Sequence, residues 1–223
     1  MIKHCNYISN GKVNQLNNKN KKLSSKIFLS LLVVLGFLTK IVSEFLHETG
    51  HGIFVLLFGG KILEMYISPF WPLQLSWIRW SFLGQIGRLE LAIVYAGGIL
   101  LCLAISFFIQ SLLLIKEISW FYQLGLAWLS FWTFLNGCGY LILGGIKPFG
   151  DIEQLIKLGY VTQQISLVLG LSLFTLGCYI LSKIFFNIFS TIFSAKTSKI
   201  LIIIFWMQVP AYALMILASG GIG

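Results

Sequence analysis

Two of the three histidines in this 223-residue chain lie four positions apart, with a glutamate next to the first. The segment reads His47-Glu48-Thr49-Gly50-His51. On a helix this spacing puts both imidazoles on one face about one turn apart, as two ligands of one tetrahedral zinc ion require. Glu48 could then act as a general base on a water molecule. By chance the motif would occur in about one in a thousand such chains. Its presence therefore favours hydrolytic zinc chemistry.

A catalytic zinc ion usually takes three protein ligands and leaves one position for water, so a third ligand must come from elsewhere. Asp151, the only aspartate of the chain, is the main candidate. It lies in residues 147–154 (KPFGDIEQ), where proline and glycine interrupt the preceding apolar run. Glu153 or Glu90 could take the same role. Asp151 could also be the N-cap of a short helix over residues 152–158.

The composition indicates that this motif lies in a membrane protein. Only 10% of the residues are charged, 57% are hydrophobic, and the mean hydropathy is +0.88. Soluble proteins carry about 25% charged residues, so an ordinary soluble domain is excluded and a multi-pass integral membrane protein is predicted. The net charge of +9 does not indicate a nucleic-acid partner, because 6 of the 16 basic residues lie in the polar residues 1–26. Those residues are predicted to form a solvated tail or to bind lipid headgroups.

Five apolar runs are long enough for membrane-spanning helices of about 20 residues. They cover residues 27–58, 89–115, 118–146, 166–193 and 200–219. The prediction is an all-α polytopic membrane protein, with a bundle of about five transmembrane helices in one domain over residues 27–223. The first run would be about 48 Å long as a helix, against a hydrocarbon core of roughly 30 Å. It is therefore expected to extend beyond the bilayer or to bend, and we favour a bend at Gly36.

The first run also carries a polar stripe. Lys40, Glu44, His47, Glu48 and His51 follow a helical spacing and share one face. Lipid contact would leave these side chains unsolvated, so the stripe is predicted to face protein or a water-filled cavity. Glu44 is a candidate to hydrogen-bond a metal ligand, and an ion pair with Lys40 is equally consistent with the spacing. In the bent arrangement Lys40 would lie near the membrane interface.

Between the first two runs, the apolar residues alternate with a spacing of two and predict a small β-hairpin. The alternating residues are Leu63, Met65 and Ile67, followed by Leu73, Leu75 and Trp77. Three tryptophans in this stretch, Trp71, Trp77 and Trp80, predict that the hairpin lies at a membrane interface.

Several of these segments together resemble the intramembrane metalloproteases of the site-2 protease type. The resemblance rests on residues 45–52 (FLHETGHG), 56–61 (LLFGGK) and 95–100 (YAGGIL), and on Asn136 and Asp151. It covers roughly residues 37–158, which leaves 164–219 as additional C-terminal helices.

The resemblance implies a role for each of these polar residues. His47, His51 and Asp151 would bind one Zn²⁺ ion, and Glu48 would be the catalytic base. Asn136 would support the site or position the substrate.

The expected function is therefore that of a zinc metalloendopeptidase acting within the lipid bilayer on membrane proteins or membrane peptides. No further cofactor and no nucleic-acid partner are expected, and the sequence does not indicate an oligomeric state. Two alternatives remain open. One is a catalytically inactive relative that serves as a membrane scaffold. The other is a metal-ion carrier that uses the same histidine pair.

Overall fold

The computed structural model of the chain describes residues 25–69, 76–116 and 118–218. Within these ranges the fold consists of long helices and one two-stranded sheet. The elements are α1 (Ser25–Leu57), β1 (Gly60–Tyr66), β2 (Trp77–Phe82), α2 (Arg88–Ile115), α3 (Trp120–Phe134), a π-helical turn (Leu135–Gly139), α4 (Tyr140–Ile146), α5 (Gly150–Lys157), α6 (Gln163–Ser190) and α7 (Ala195–Ala218).

Five helical spans in these ranges are long and apolar enough to cross a membrane. They are α1, α2, the continuous unit formed by α3, the π-helical turn and α4, then α6 and α7. The predicted number of apolar helices is thus confirmed, with ends that differ from the predicted runs by a few residues. The polar tail was predicted for residues 1–26, of which 1–24 lie outside the described residues and the last two belong to α1.

Helix α1 passes through Gly36 without interruption, so the predicted change of direction does not appear as a break in the helix. Gly36 is instead part of a helix contact. Its carbonyl accepts a hydrogen bond from Trp132 Nε1 at 2.7 Å, and the ring of Trp128 packs against its Cα. The helix ends at Leu57, and Gly59 adopts φ +75°, a conformation typical of glycine after a helix end.

The β-hairpin after α1 is present, but its second strand lies later in the chain than predicted. Strand β1 pairs antiparallel with β2, with Gly60 opposite Phe82 and Tyr66 opposite Trp77. The predicted second strand ended at Trp77, where the observed one begins, and Leu73 and Leu75 lie outside the described residues. The observed segment (WIRWSF) is rich in the aromatic and β-branched residues that favour strands.

The centre of the bundle away from the histidines is an aromatic core between α1, α3, α6 and α7. Most of its ring pairs are edge-on or tilted, and Phe185 and Phe205 have centroids 4.3 Å apart. The buried aromatic residues of this core are Phe28, Trp128, Phe131, Phe134, Phe185, Phe189 and Phe205. This core holds the spanning helices together at one end, and the polar residues of α1 lie toward the other.

Candidate metal centre

The histidine motif lies on the inner face of α1, where α2 crosses it at close range. His47 and His51 are each 3% exposed, and Glu48 is 6% exposed. A Cβ atom on Gly50 would overlap the carbonyl oxygen of Gly97 on α2, so only glycine permits this backbone contact. The polar stripe therefore faces protein, as predicted from the sequence.

Asp151 reaches this face from the short helix α5. The chain turns after α4, Gly150 adopts φ +52°, and α5 begins there with Phe149 as its N-cap. The alternative that Asp151 is the N-cap is therefore wrong, because the helix starts earlier than residue 152 and puts Asp151 in its first turn. The side chain of Ile152 packs against the Cα of Gly144, which holds α5 close to α4.

The structure brings the two histidines and Asp151 together. Asp151 Oδ2 lies 3.1 Å from His47 Nε2 and 3.3 Å from His51 Nε2. The three potential donor atoms all lie within 4.8 Å of one another, so these residues could hold a metal ion. Ligands about 2.0–2.1 Å from a tetrahedral ion lie about 3.3 Å apart, which is close to these two separations.

The other two candidate carboxylates lie elsewhere. Glu153 forms an ion pair with Lys157 at 2.6 Å on the outer side of α5. Glu90 accepts a hydrogen bond from the backbone N–H of Gly87 at the start of α2. Among the described residues, Asp151 is thus the carboxylate that joins the two histidines.

Contacts behind the imidazoles orient their Nε2 atoms toward Asp151. His51 Nδ1 lies 2.7 Å from the carbonyl oxygen of Val94 and donates a hydrogen bond to it in the tautomer that leaves Nε2 free. His47 Nδ1 faces Cys102 Sγ at 4.0 Å, and Tyr140 stacks on the His47 ring with centroids 4.9 Å apart. A backbone carbonyl thus anchors one imidazole, and ring stacking with a weak sulfur contact anchors the other.

Gly98 forms the α2 wall of the donor cluster. A Cβ atom at this position would lie 2.7 Å from His51 Nε2 and 2.8 Å from His47 Nε2. The absence of a side chain therefore keeps space open beside both nitrogens. A nitrogen–nitrogen–oxygen donor set with open space next to it suits a metal ion.

The surroundings of Asp151 favour the charged form of its carboxyl group. Burial alone would raise the pKa of this group, but the charge of His51 when its imidazole is protonated and the hydrogen bonds with both histidines outweigh this effect. The pKa therefore lies below the usual range for aspartate. An ionised carboxylate is the form that binds metals.

Glu48 faces a cavity of about 180 Å³ that also opens onto both histidines and Asp151. None of the described residues donates a hydrogen bond to its carboxylate. Aromatic residues supply much of the remaining wall, namely Trp77, Trp80, Tyr140 and Phe149. Strand β2 therefore covers the centre from one side, and Glu48 lines the same cavity as the three donor residues.

A second polar cluster lies along the same stripe. Glu44 Oε1 accepts bonds from Lys40 Nζ at 2.5 Å and from Asn136 Nδ2 at 2.9 Å. Asn136 also donates to Ser43 Oγ at 2.8 Å. Lys40 is 7% exposed, and its pairing with Glu44 keeps its side chain inside the bundle. Its predicted position near a membrane interface stays a prediction.

Glu44 and Asn136 therefore contact each other rather than His47, His51 or Asp151. The π-helical turn at Leu135–Gly139 places Asn136 toward α1. Such turns widen a helix locally and are frequent at functional sites. The predicted roles of these two residues as supports of the site remain predictions.

Sequence reasoning missed four residues at this centre: Val94, Gly98, Cys102 and Tyr140. Gly98 lay within a noted Gly-Gly pair, but nothing in the spacing showed which glycine faces the histidines. Tyr140 follows the π-helical turn, which shifts the helical phase by one residue and so defeats a count along an ideal helix.

Comparison with known proteins identified no relative of this chain: no family model matches it, and neither a curated protein nor a solved structure matches it significantly.

Proposed function

We propose that this protein is an intramembrane zinc metalloendopeptidase that hydrolyses peptide bonds of membrane proteins or membrane peptides. The observation that carries the proposal is the position of Asp151 beside His47 and His51, with Glu48 facing the same cavity. The His-Glu-x-x-His spacing on a helix is the arrangement in which zinc hydrolases place two ligands and a general base.

The five long apolar helices support a location within the bilayer, where zinc and protein side chains must provide the chemistry. A bound zinc ion would act as a Lewis acid on the scissile carbonyl and lower the pKa of an associated water to about 7. His47, His51 and Asp151 would hold that ion.

The residues of the chain divide the remaining work. Glu48 would accept a proton from the attacking water and give it to the leaving amine. The aromatic wall limits the entry of bulk water, which strengthens electrostatic interactions inside the cavity. A peptide bond in a membrane helix is protected by its own hydrogen bonds, so the substrate must be locally unwound when it reaches Glu48.

The decisive experiment replaces Glu48 with glutamine. We expect Glu48→Gln to abolish cleavage of membrane-spanning test peptides by the purified protein, because the base is lost, while zinc per chain stays near the wild-type value. Mass spectrometry of the products and elemental analysis provide the two measurements. Glu64→Gln is the matched control, since Glu64 is an exposed hairpin residue paired with Arg79, and it should leave both unchanged. Near-normal turnover by Glu48→Gln would refute the proposal.

The same measurements separate the two other functions considered from the sequence. A membrane scaffold predicts no cleavage by the wild type under any metal loading. A metal-ion carrier predicts weak, exchangeable zinc and zinc flux across proteoliposomes, whereas the endopeptidase predicts about one tightly held ion per chain. The absence of cleavage, or weakly held zinc with zinc flux, would replace the proposed function by the corresponding alternative.

A further inference from the structure

A second and larger cavity adjoins the metal centre. It is a groove of about 620 Å³ between the π-helical turn and α4 on one side and α6 and α7 on the other. Tyr140 and Phe149 line both this groove and the cavity of the metal centre. Their rings contact each other with centroids 5.4 Å apart, so this pair forms the partition between the two spaces.

The groove is shorter than a whole transmembrane helix. A helix of 20 residues is about 30 Å long, whereas the groove follows α6 over only about 16 Å, from Leu171 to Ser182. Its volume lies within the roughly 300–1,000 Å³ typical of small-molecule sites.

The chemistry of the lining also disfavours an extended peptide. Such a peptide would bring backbone N–H and C=O groups that need partners in an apolar environment. The lining offers few, and two of its polar side chains are already engaged. The Asn136 amide donates to Ser43 and Glu44, and the Ser182 hydroxyl accepts a hydrogen bond from Trp206 Nε1 at 2.8 Å.

A lipid acyl chain meets both conditions, because it is narrow and has no polar groups to satisfy. The groove extends along α6 from Leu171 to Ser182, which is about 16 Å at the helical rise. This length accommodates most of a membrane acyl chain. The lining between these limits is apolar, with Phe174, Trp206 and Val209 as large members.

One end of the groove carries a positive charge. Lys183 follows the lining residue Ser182, and its Nζ lies 4.3 Å from the centroid of Tyr179, which also lines the groove. Lys183 is exposed, and no carboxylate of the described residues pairs with it. It lies about 10 Å from the C-terminal end of α6, within reach of the headgroup level.

We propose that this groove binds one acyl chain of an anionic phospholipid, with the phosphate beside Lys183 and the end of the chain against Tyr140 and Phe149. The bound chain would then close the lipid side of the wall that supports the metal centre. This inference rests on the membrane location given above, and it is independent of peptidase activity.

The test uses the full chain in phosphatidylcholine nanodiscs that contain a trace of phosphatidylglycerol with a diazirine near the end of one acyl chain. After irradiation, mass spectrometry should find the label on the groove residues of α6 and α7. Ala213→Phe would fill the groove and should reduce this labelling at least fivefold. Ala211→Phe is the matched control, because Ala211 is exposed on the same helix and does not line the groove.

A second pair of variants tests the headgroup contact without altering the groove. Lys183→Gln should reduce the labelling by phosphatidylglycerol about fivefold relative to an equivalent phosphatidylcholine probe, the effect of one lysine near an anionic lipid surface. Lys199→Gln, at another exposed lysine, should leave the ratio unchanged. Glu48→Gln should label like the wild type, so a failure of the endopeptidase proposal would not affect this result.

Three outcomes would overturn the inference. Label spread evenly over the lipid-facing helices, or equal labelling of Ala213→Phe and Ala211→Phe, would show that the groove selects no lipid. Displacement of the label by a membrane-spanning test peptide would assign the groove to a peptide. Label that appears only in nanodiscs that hold a single chain, and is lost when two chains share a disc, would assign the groove to a second copy.

Discussion

The two ends of this helical bundle are buried to a similar degree but are built from different chemistry. At the aromatic end, Phe131 and its neighbours fill space, and two polar atoms, Gln110 Oε1 and Trp128 Nε1, have no hydrogen-bond partner among the described residues. At the metal end, the buried charged side chains either have polar partners or face the cavity. The comparison indicates that the metal end depends on each polar group pointing toward a partner. The aromatic end depends instead on side chains of the right volume filling the space.

The largest effect on the metal end should come from Asp151→Ala. Loss of one of three ligands should lower zinc affinity more than about 100-fold, the upper range for residues that only support a ligand. Zinc content and peptide cleavage should fall together, as measured by elemental analysis and product formation on the same sample. The control is Glu153→Ala, which removes a partly exposed carboxylate two residues away. Full zinc occupancy in folded Asp151→Ala protein would exclude Asp151 as a ligand.

The aromatic end should respond in stability and not in metal binding. Phe131 is fully buried, so Phe131→Ala should lower the free energy of unfolding by about 3–5 kcal/mol through the cavity that it leaves. Zinc per folded chain should stay unchanged. Reversible unfolding in detergent gives the stability, and Phe121→Ala, at an exposed phenylalanine on the same helix, should have a much smaller effect. A parallel loss of zinc would show that the two ends are coupled.

The contrast between the ends also explains which features the sequence could predict. Apolar runs and a four-residue histidine spacing are local properties, so the five spans and the histidine face were predictable. Asp151 was predictable as a candidate by its rarity, but not as the partner of both histidines, because this depends on how α5 packs against α4. The sequence favoured a bend at Gly36. In the structure α1 continues through Gly36, and Trp128 and Trp132 pack against this glycine.

A single added methyl group should test how closely the metal end is fitted. In Gly98→Ala the new Cβ would lie 2.7–2.8 Å from both Nε2 atoms, nearer than unbonded atoms can approach. One ring must move, so zinc affinity should fall about tenfold or more in a competition titration with a chelator. Gly125→Ala is the matched control, because a Cβ there meets no atom within 4 Å. Equal zinc affinity in the two variants would show that Gly98 does not limit the site.

The smallest effect should come from the sulfur contact behind His47. Cys102 Sγ lies 4.0 Å from His47 Nδ1, the limit for a hydrogen bond to sulfur, and thiols are weak partners. If stacking on Tyr140 holds the ring instead, Cys102→Ala should lower zinc affinity by less than about threefold, well below the 10- to 100-fold typical when a strong partner of a ligand is lost. Tyr140→Leu should lower it more. Cys138→Ala is the control, because its thiol contacts the carbonyl of Phe134 at the aromatic end. A tenfold loss of zinc affinity in Cys102→Ala, with a smaller loss in Tyr140→Leu, would contradict this expectation. The thiol would then be the main anchor of His47, and both imidazoles would depend on a polar partner at Nδ1.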